Sequence, residues 1–311
     1  MAGDFLFPPA VPRLARQIAV GDGHLLYVEE CGPADGLPVV FLHGGPGSGC
    51  TPLQRRLFDP QRFRAILIDQ RGAGRSLPLG ELAANSTPHL VADLEAVRDA
   101  LGIERWIVFG GSWGSLLAMA YAQLFPERVL GLVLRGIFLG SAHEIEAYVQ
   151  GWQWGAGRIF GHFYTSTAAL DFLAATVLGD DREQALAAAR SWLDHECTCL
   201  GESPLEADPN MRQLAKVAIQ LHYLRRNCFL APGSLLAGIE HIRHLPAPIV
   251  QGMHDPVCPP ETASTLHRAW PEATWVPVAD AGHGGLEPPI ARACIKALDW
   301  VAGEVALSSV Q

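Results

Sequence analysis

Gly110-Gly111-Ser112-Trp113-Gly114 sets a hydroxyl between glycines, behind an apolar stretch at 106–109 and ahead of a helix-like stretch from residue 115. A serine hydroxyl becomes a nucleophile only when a base takes its proton, and a sharp strand-to-helix turn lifts it to where a base can reach. The flanking glycines permit that bend. The helix N-terminus behind it favours negative charge developing at a reacting carbonyl. A glycine-flanked serine is also an ordinary tight turn, and the strand before it and the helix after it are what favour the catalytic reading.

An acyl-transfer site of this kind needs three more groups. His43-Gly44-Gly45-Pro46-Gly47 follows the apolar run ending at Leu42. Its backbone can aim an N–H at the oxyanion, either Gly44 or Gly45 with Gly45 favoured, alongside the N–H of Trp113. No Gly-Lys-Ser/Thr follows, which argues against a phosphate cradle. Of twelve histidines, His283 sits in Ala281-Gly282-His283-Gly284-Gly285, just past the strand pattern at 274–278. Reaction sites in parallel sheets collect at such carboxyl ends. Asp255, three residues past the strand pattern at 248–252, fits the order serine, acid, histidine and is preferred over Asp280 as the acid that orients His283, because it comes from the preceding strand's end whereas Asp280 stands three residues from His283 in the same loop.

These residues need a scaffold that brings distant segments together. A hairpin is expected from 17–20 and 24–30 around Gly21-Asp22-Gly23, and buried strands from 39–42 and 64–69. Thr87-Pro88 opens a helix carrying Leu90, Leu94, Val97 and Leu101 at helical spacing, and strands at 106–109 and 129–134 follow. Strand and helix in alternation imply parallel pairing with crossover helices. Residues 141–240 lack a convincing strand and read as an all-helical insertion, with clear helices at 181–195 and 211–224, the second opened by Asp208-Pro209. The alternation then returns at 248–252, 260–270, 274–278 and 289–301. The expected division is a catalytic unit from 1–140 and 241–311, and a helical cap from 141–240.

With 311 residues, 49% apolar and 18% charged, the chain can bury a large core. A net charge of -9 argues against a nucleic-acid binder, which needs a basic footprint. Residues 1–12 are broken by Gly3, Pro8, Pro9 and Pro12 and show no secretory pattern, and no apolar run is long enough for a membrane span. The expectation is a cytoplasmic protein without membrane attachment. Seven scattered cysteines are expected as free thiols; Cys197 and Cys199 beside His195 lack the spacing of a zinc site. Neither a metal nor an organic cofactor is implied, and no oligomeric state can be read.

Together, His43-Gly44-Gly45-Pro46-Gly47, Asp69-Gln70-Arg71-Gly72-Ala73-Gly74-Arg75-Ser76, Gly110-Gly111-Ser112-Trp113-Gly114-Ser115, Leu134-Arg135-Gly136-Ile137-Phe138 and Asp280-Ala281-Gly282-His283 resemble the proline iminopeptidase (prolyl aminopeptidase) family of α/β-hydrolases. The resemblance implies an α/β-hydrolase fold, with a mostly parallel central sheet flanked by helices and an all-helical cap. It also implies a serine hydrolase that frees N-terminal proline from peptides, using Ser112, Asp255 and His283. Arg135 is implied as a substrate-binding residue, Asp69 to Ser76 as a bracing turn. Cap carboxylates hold the substrate's imino group in the family; one such position falls at Glu196 and the other at Gln220, where the family has a glutamate. An esterase or amidase of small acyl substrates, and a non-catalytic binding protein on the same fold, are the alternatives.

Overall fold

The computed structural model describes residues 5–308; residues 1–4 and 309–311, part of the expected catalytic range, lie outside the described residues. The strands are β1 (Leu14–Gly21), β2 (His24–Cys31), β3 (Leu37–Leu42), β4 (Phe63–Ile68), β5 (Trp106–Ser112), β6 (Val129–Ile137), β7 (Pro248–Gly252) and β8 (Thr274–Val278). They form one sheet in the order β1-β2-β4-β3-β5-β6-β7-β8. β1 and β2 form an antiparallel hairpin that also meets β4 antiparallel, and every other pairing is parallel. This is the α/β-hydrolase architecture. The strand order reverses at β3, between β4 and β5, and a crevice opens at their carboxyl ends.

The helices are α1 (Thr87–Ala100), α2 (Trp113–Leu124), α3 (Ala142–Trp154), α4 (Ser166–Val177), α5 (Arg182–Leu200), α6 (Met211–Leu224), α7 (Ser234–Ala237), α8 (Pro260–Ala269) and α9 (Pro288–Ser308). Side chains alternate across the central strands. Val40, Leu42, Ile66, Ile68 and Val108 pack on one face with residues of α1 and α2. Val39, Phe41, Leu67, Ile107 and Phe109 pack on the other with residues of α9. Burial on both faces is why these strands read as continuous apolar runs.

α3 to α6 arch over the carboxyl ends of the strands. Asp181 caps α5 by accepting from the N–H groups of Glu183 and Gln184, and left-handed Gly201 ends it. Asn210, rather than the expected Asp208-Pro209, caps α6, with Gln213 completing a capping box. The chain after α6 returns to the sheet. Thr87 Oγ1 donates to the Cys228 carbonyl and Gln123 Nε2 to that of Leu235, so α7 rests on α2 although it falls within the expected cap range.

Candidate active site

β5 runs three residues beyond the apolar stretch to end at Ser112, with Gly110 and Gly111 still paired to Leu134 and Arg135 of β6. The chain then turns at once into α2, and Ser112 takes φ 57° and ψ -127°. This positive φ in a residue with a side chain is a strained bend of the kind that raises a hydroxyl clear of the sheet. A Cβ on Gly110 would lie 2.0 Å from the Gly114 carbonyl oxygen, and one on Gly114 would lie 2.1 Å from that of Leu42, so the turn closes only with glycine at both positions.

Asp255 stands on the loop after β7 and is buried. Its Oδ1 accepts from the N–H groups of Val257 (2.9 Å) and Cys258 (2.8 Å), and its Oδ2 faces His283 Nδ1 at 2.7 Å. Two backbone donors fix the carboxylate, and the carboxylate fixes the ring, leaving Nε2 as the free nitrogen. Asp280 is exposed and does not bond His283. Ser112 and His283 line one cavity of about 610 Å³. The serine Oγ rests 4.0 Å from Cys258 Sγ, and among the described residues no hydrogen bond joins it to His283. Such bonds often tighten only when substrate binds.

Gly44 and Gly45 line the same cavity with Trp113, and neither glycine N–H has a hydrogen-bond partner among the described residues. A Cβ on Gly44 would sit 3.4 Å from Ser112 Cβ, so this backbone runs beside the serine. Trp113 opens α2, where an N–H has no intrahelical acceptor. A buried network steadies the loop. The Gln70 N–H donates to His43 Nε2 (3.0 Å), so His43 Nδ1 carries the proton and donates to the Gly44 carbonyl (2.9 Å). Gln70 Nε2 donates to the His43 carbonyl, and Gln70 Oε1 accepts from Trp113 Nε1. Burial pushes the His43 pKa below its ordinary value, which keeps the ring neutral as this network requires.

Arg135 also reaches the cavity, and its Nη1 donates to the His283 carbonyl at 2.9 Å, which sets it beside the loop of the base. On the cap side, Glu196 from α5 and Gln220 from α6 both line the cavity. Glu196 is held by Lys216 Nζ at 2.7 and 2.6 Å. Gln220 Oε1 accepts from Trp192 Nε1 (3.0 Å), and its Nε2 lies 3.5 Å from the Gly45 carbonyl, joining cap to oxyanion loop.

The chain matches the family model for the alpha/beta hydrolase fold over residues 38–288. It is 41% identical over 310 residues to a proline iminopeptidase of Xylella fastidiosa, spanning 94% of this chain and 98% of that protein. A proline iminopeptidase of Arabidopsis thaliana is also 41% identical, over 94% of this chain and 80% of its own length. This chain belongs to the proline iminopeptidase family of α/β-hydrolases. Among solved structures, an esterase from a Rhodococcus species superposes with a TM-score of 0.61 at 19% identity, over 93% of this chain and 98% of its own; that likeness carries the fold alone.

Several residues of this family member have site contacts beyond those expected from the sequence. Glu287 accepts from Gly284 N–H (3.0 Å) and Gly282 N–H (3.3 Å), clasping the loop on both sides of His283. It stands immediately ahead of Pro288, where α9 begins. Cys258 stands against the serine, where burial raises its thiol pKa well above the ordinary value. Tyr148 lines the cavity and packs edge-on to Trp192, its phenol without a hydrogen-bond partner among the described residues. Lys216 lies one helical turn before Gln220, a spacing that puts both on one face of α6 and was a signal available in the sequence.

Proposed function

We propose that this chain is a serine hydrolase releasing N-terminal proline from small peptides, with Ser112 as nucleophile, His283 as base and Asp255 as the acid that orients it. The carrying observation is the 2.7 Å contact between Asp255 Oδ2 and His283 Nδ1, in a cavity whose wall also holds the strained Ser112. Rotation of the serine away from Cys258 aims Oγ at His283 Nε2. The ring takes the hydroxyl proton as Oγ bonds to the substrate carbonyl carbon. The oxyanion is held by the Trp113 N–H and that of Gly45, or of Gly44 beside it. The imidazolium, steadied by Asp255, gives its proton to the departing amine, and water then cleaves the acyl-enzyme by the same route. Arg135 and Glu287 act on the loop of the base and thereby set its angle.

The names of the relatives support the proline reading, and the cap supports a second one. Glu196 is already paired with Lys216, and position 220 is a neutral amide, an arrangement that suits an esterase or amidase of small uncharged acyl groups. Seven unpaired cysteines fit a reducing compartment, the cytoplasm. No helix of the described residues is long and apolar enough to cross a membrane. Hydrolysis of an L-proline arylamide, measured beside short-chain nitrophenyl esters, tests the proposal. Proline release at a kcat/KM at least equal to that for the esters is expected; ester turnover without proline release would replace the first reading with the second.

A further inference from the structure

The cap wall of the cavity holds a close ion pair that no step of the proposed reaction uses. Lys216 Nζ meets both carboxylate oxygens of Glu196, at 2.7 and 2.6 Å, and the two side chains are only 20% and 18% exposed. A Cβ on Gly47 would lie 3.2 Å from Lys216 Cα, so the lysine's backbone is pressed against the glycine loop, and both members of the pair line the cavity that Ser112 lines. An ammonium gripped by both oxygens fills the place that a cationic substrate nitrogen would take on this carboxylate. The other acids on the cavity wall do not replace it. Glu144 is held by the N–H groups of Leu139 and Ser141, Glu287 by those of Gly282 and Gly284, and Glu202 is exposed.

We infer that Lys216 is a specificity-determining residue, an internal surrogate of the substrate's charged nitrogen that competes with it for Glu196. The inference rests on the proline reading above. A protonated imino group reaches Glu196 only by displacing or sharing with Lys216, whose ammonium must then be accommodated in a mostly buried wall without its partner. Uncharged acyl rings of the same size meet no such competitor. The pair therefore weakens binding of N-terminal proline relative to neutral acyl groups and broadens the range of substrates.

Lys216→Met keeps the aliphatic stem and removes the charge. The ratio of kcat/KM for an L-proline arylamide to that for a nitrophenyl acetate should rise about tenfold, the scale of one charge-assisted hydrogen bond, with the gain in KM. Lys216→Gln repeats the test should methionine misfold there, and Lys216→Arg, which keeps a cation, should stay near the wild-type ratio. In a Glu196→Gln background, Lys216→Met should leave the ratio where Glu196→Gln sets it. An unchanged or lower ratio, or a rise that persists without Glu196, overturns the inference. Ester turnover with no proline release in any variant overturns the proline reading and the inference with it, and is recognisable because no variant then acts on proline.

Discussion

The floor and the roof of the cavity are built in different ways. On the floor, backbone conformation places each group at a strand's carboxyl end: the positive φ of Ser112 as the last residue of β5, the glycine loop after β3, Asp255 after β7 and His283 after β8. On the roof, Glu196, Lys216 and Gln220 are side chains on helix faces, and their partners come from neighbouring helices and the loop below. Glycine, serine, histidine and aspartate on the floor each answer to a local geometric demand, so exchange there should be costly. Helix faces accept substitution without loss of the helix, so substrate preference can drift while the chemistry is kept.

The sharpest way to break this contrast is at the floor. Asp255→Asn keeps the shape of the acid but presents an amide to His283 Nδ1, and hydrolysis should fall about 10⁴-fold for every substrate. A loss confined to proline substrates would mean that Asp255 belongs to recognition instead. Glu287→Ala should cost roughly tenfold to a hundredfold in kcat, since it frees the loop that aims His283 without touching the reacting atoms. Wild-type kcat in that variant would show that the loop needs no clasp.

The smallest effect compares floor and roof through their buried histidines. Burial lowers the pKa of both His43, on the floor, and His195, on the roof, where it bonds the Tyr148 carbonyl. Well above the ordinary imidazole pKa of about 6.5, both rings are neutral in the folded and unfolded chain and add no pH dependence. Below it the unfolded chain takes up protons that the fold resists, so stability declines as pH drops. The melting temperature should fall by a few degrees, about 2–5 °C, between pH 7.0 and 5.5, and His195→Gln should remove the roof's share. A flat or rising melting temperature over that range would contradict burial of the neutral rings.

What was legible in the sequence follows the same division. Ser112, His43 to Gly47 and His283 stand in glycine-bearing loops after apolar runs, a local pattern that survives without coordinates. The ends of β5 and β6 were less so: Gly110 and Gly111 read as loop, yet the ladder with β6 continues through them to Leu134 and Arg135, where a Cβ on Gly111 would lie 2.5 Å from Arg135 Nη2. The Glu196–Lys216 pair was hidden because twenty residues and a helix crossing separate the partners. The resemblance implies a substrate role for Arg135, whereas its bond to the His283 carbonyl depends on β6 lying beside the loop after β8, a long-range relation.

The role of Ser112 as nucleophile is most directly tested by the structure of the chain after reaction with a small fluorophosphonate. A phosphonyl group is expected on Ser112 Oγ, with His283 Nε2 within hydrogen-bond distance of that oxygen and the phosphonyl oxygen accepting from the Trp113 and Gly45 N–H groups. A chain left unlabelled at Ser112, or an adduct with the His283 ring turned away from it, would contradict it.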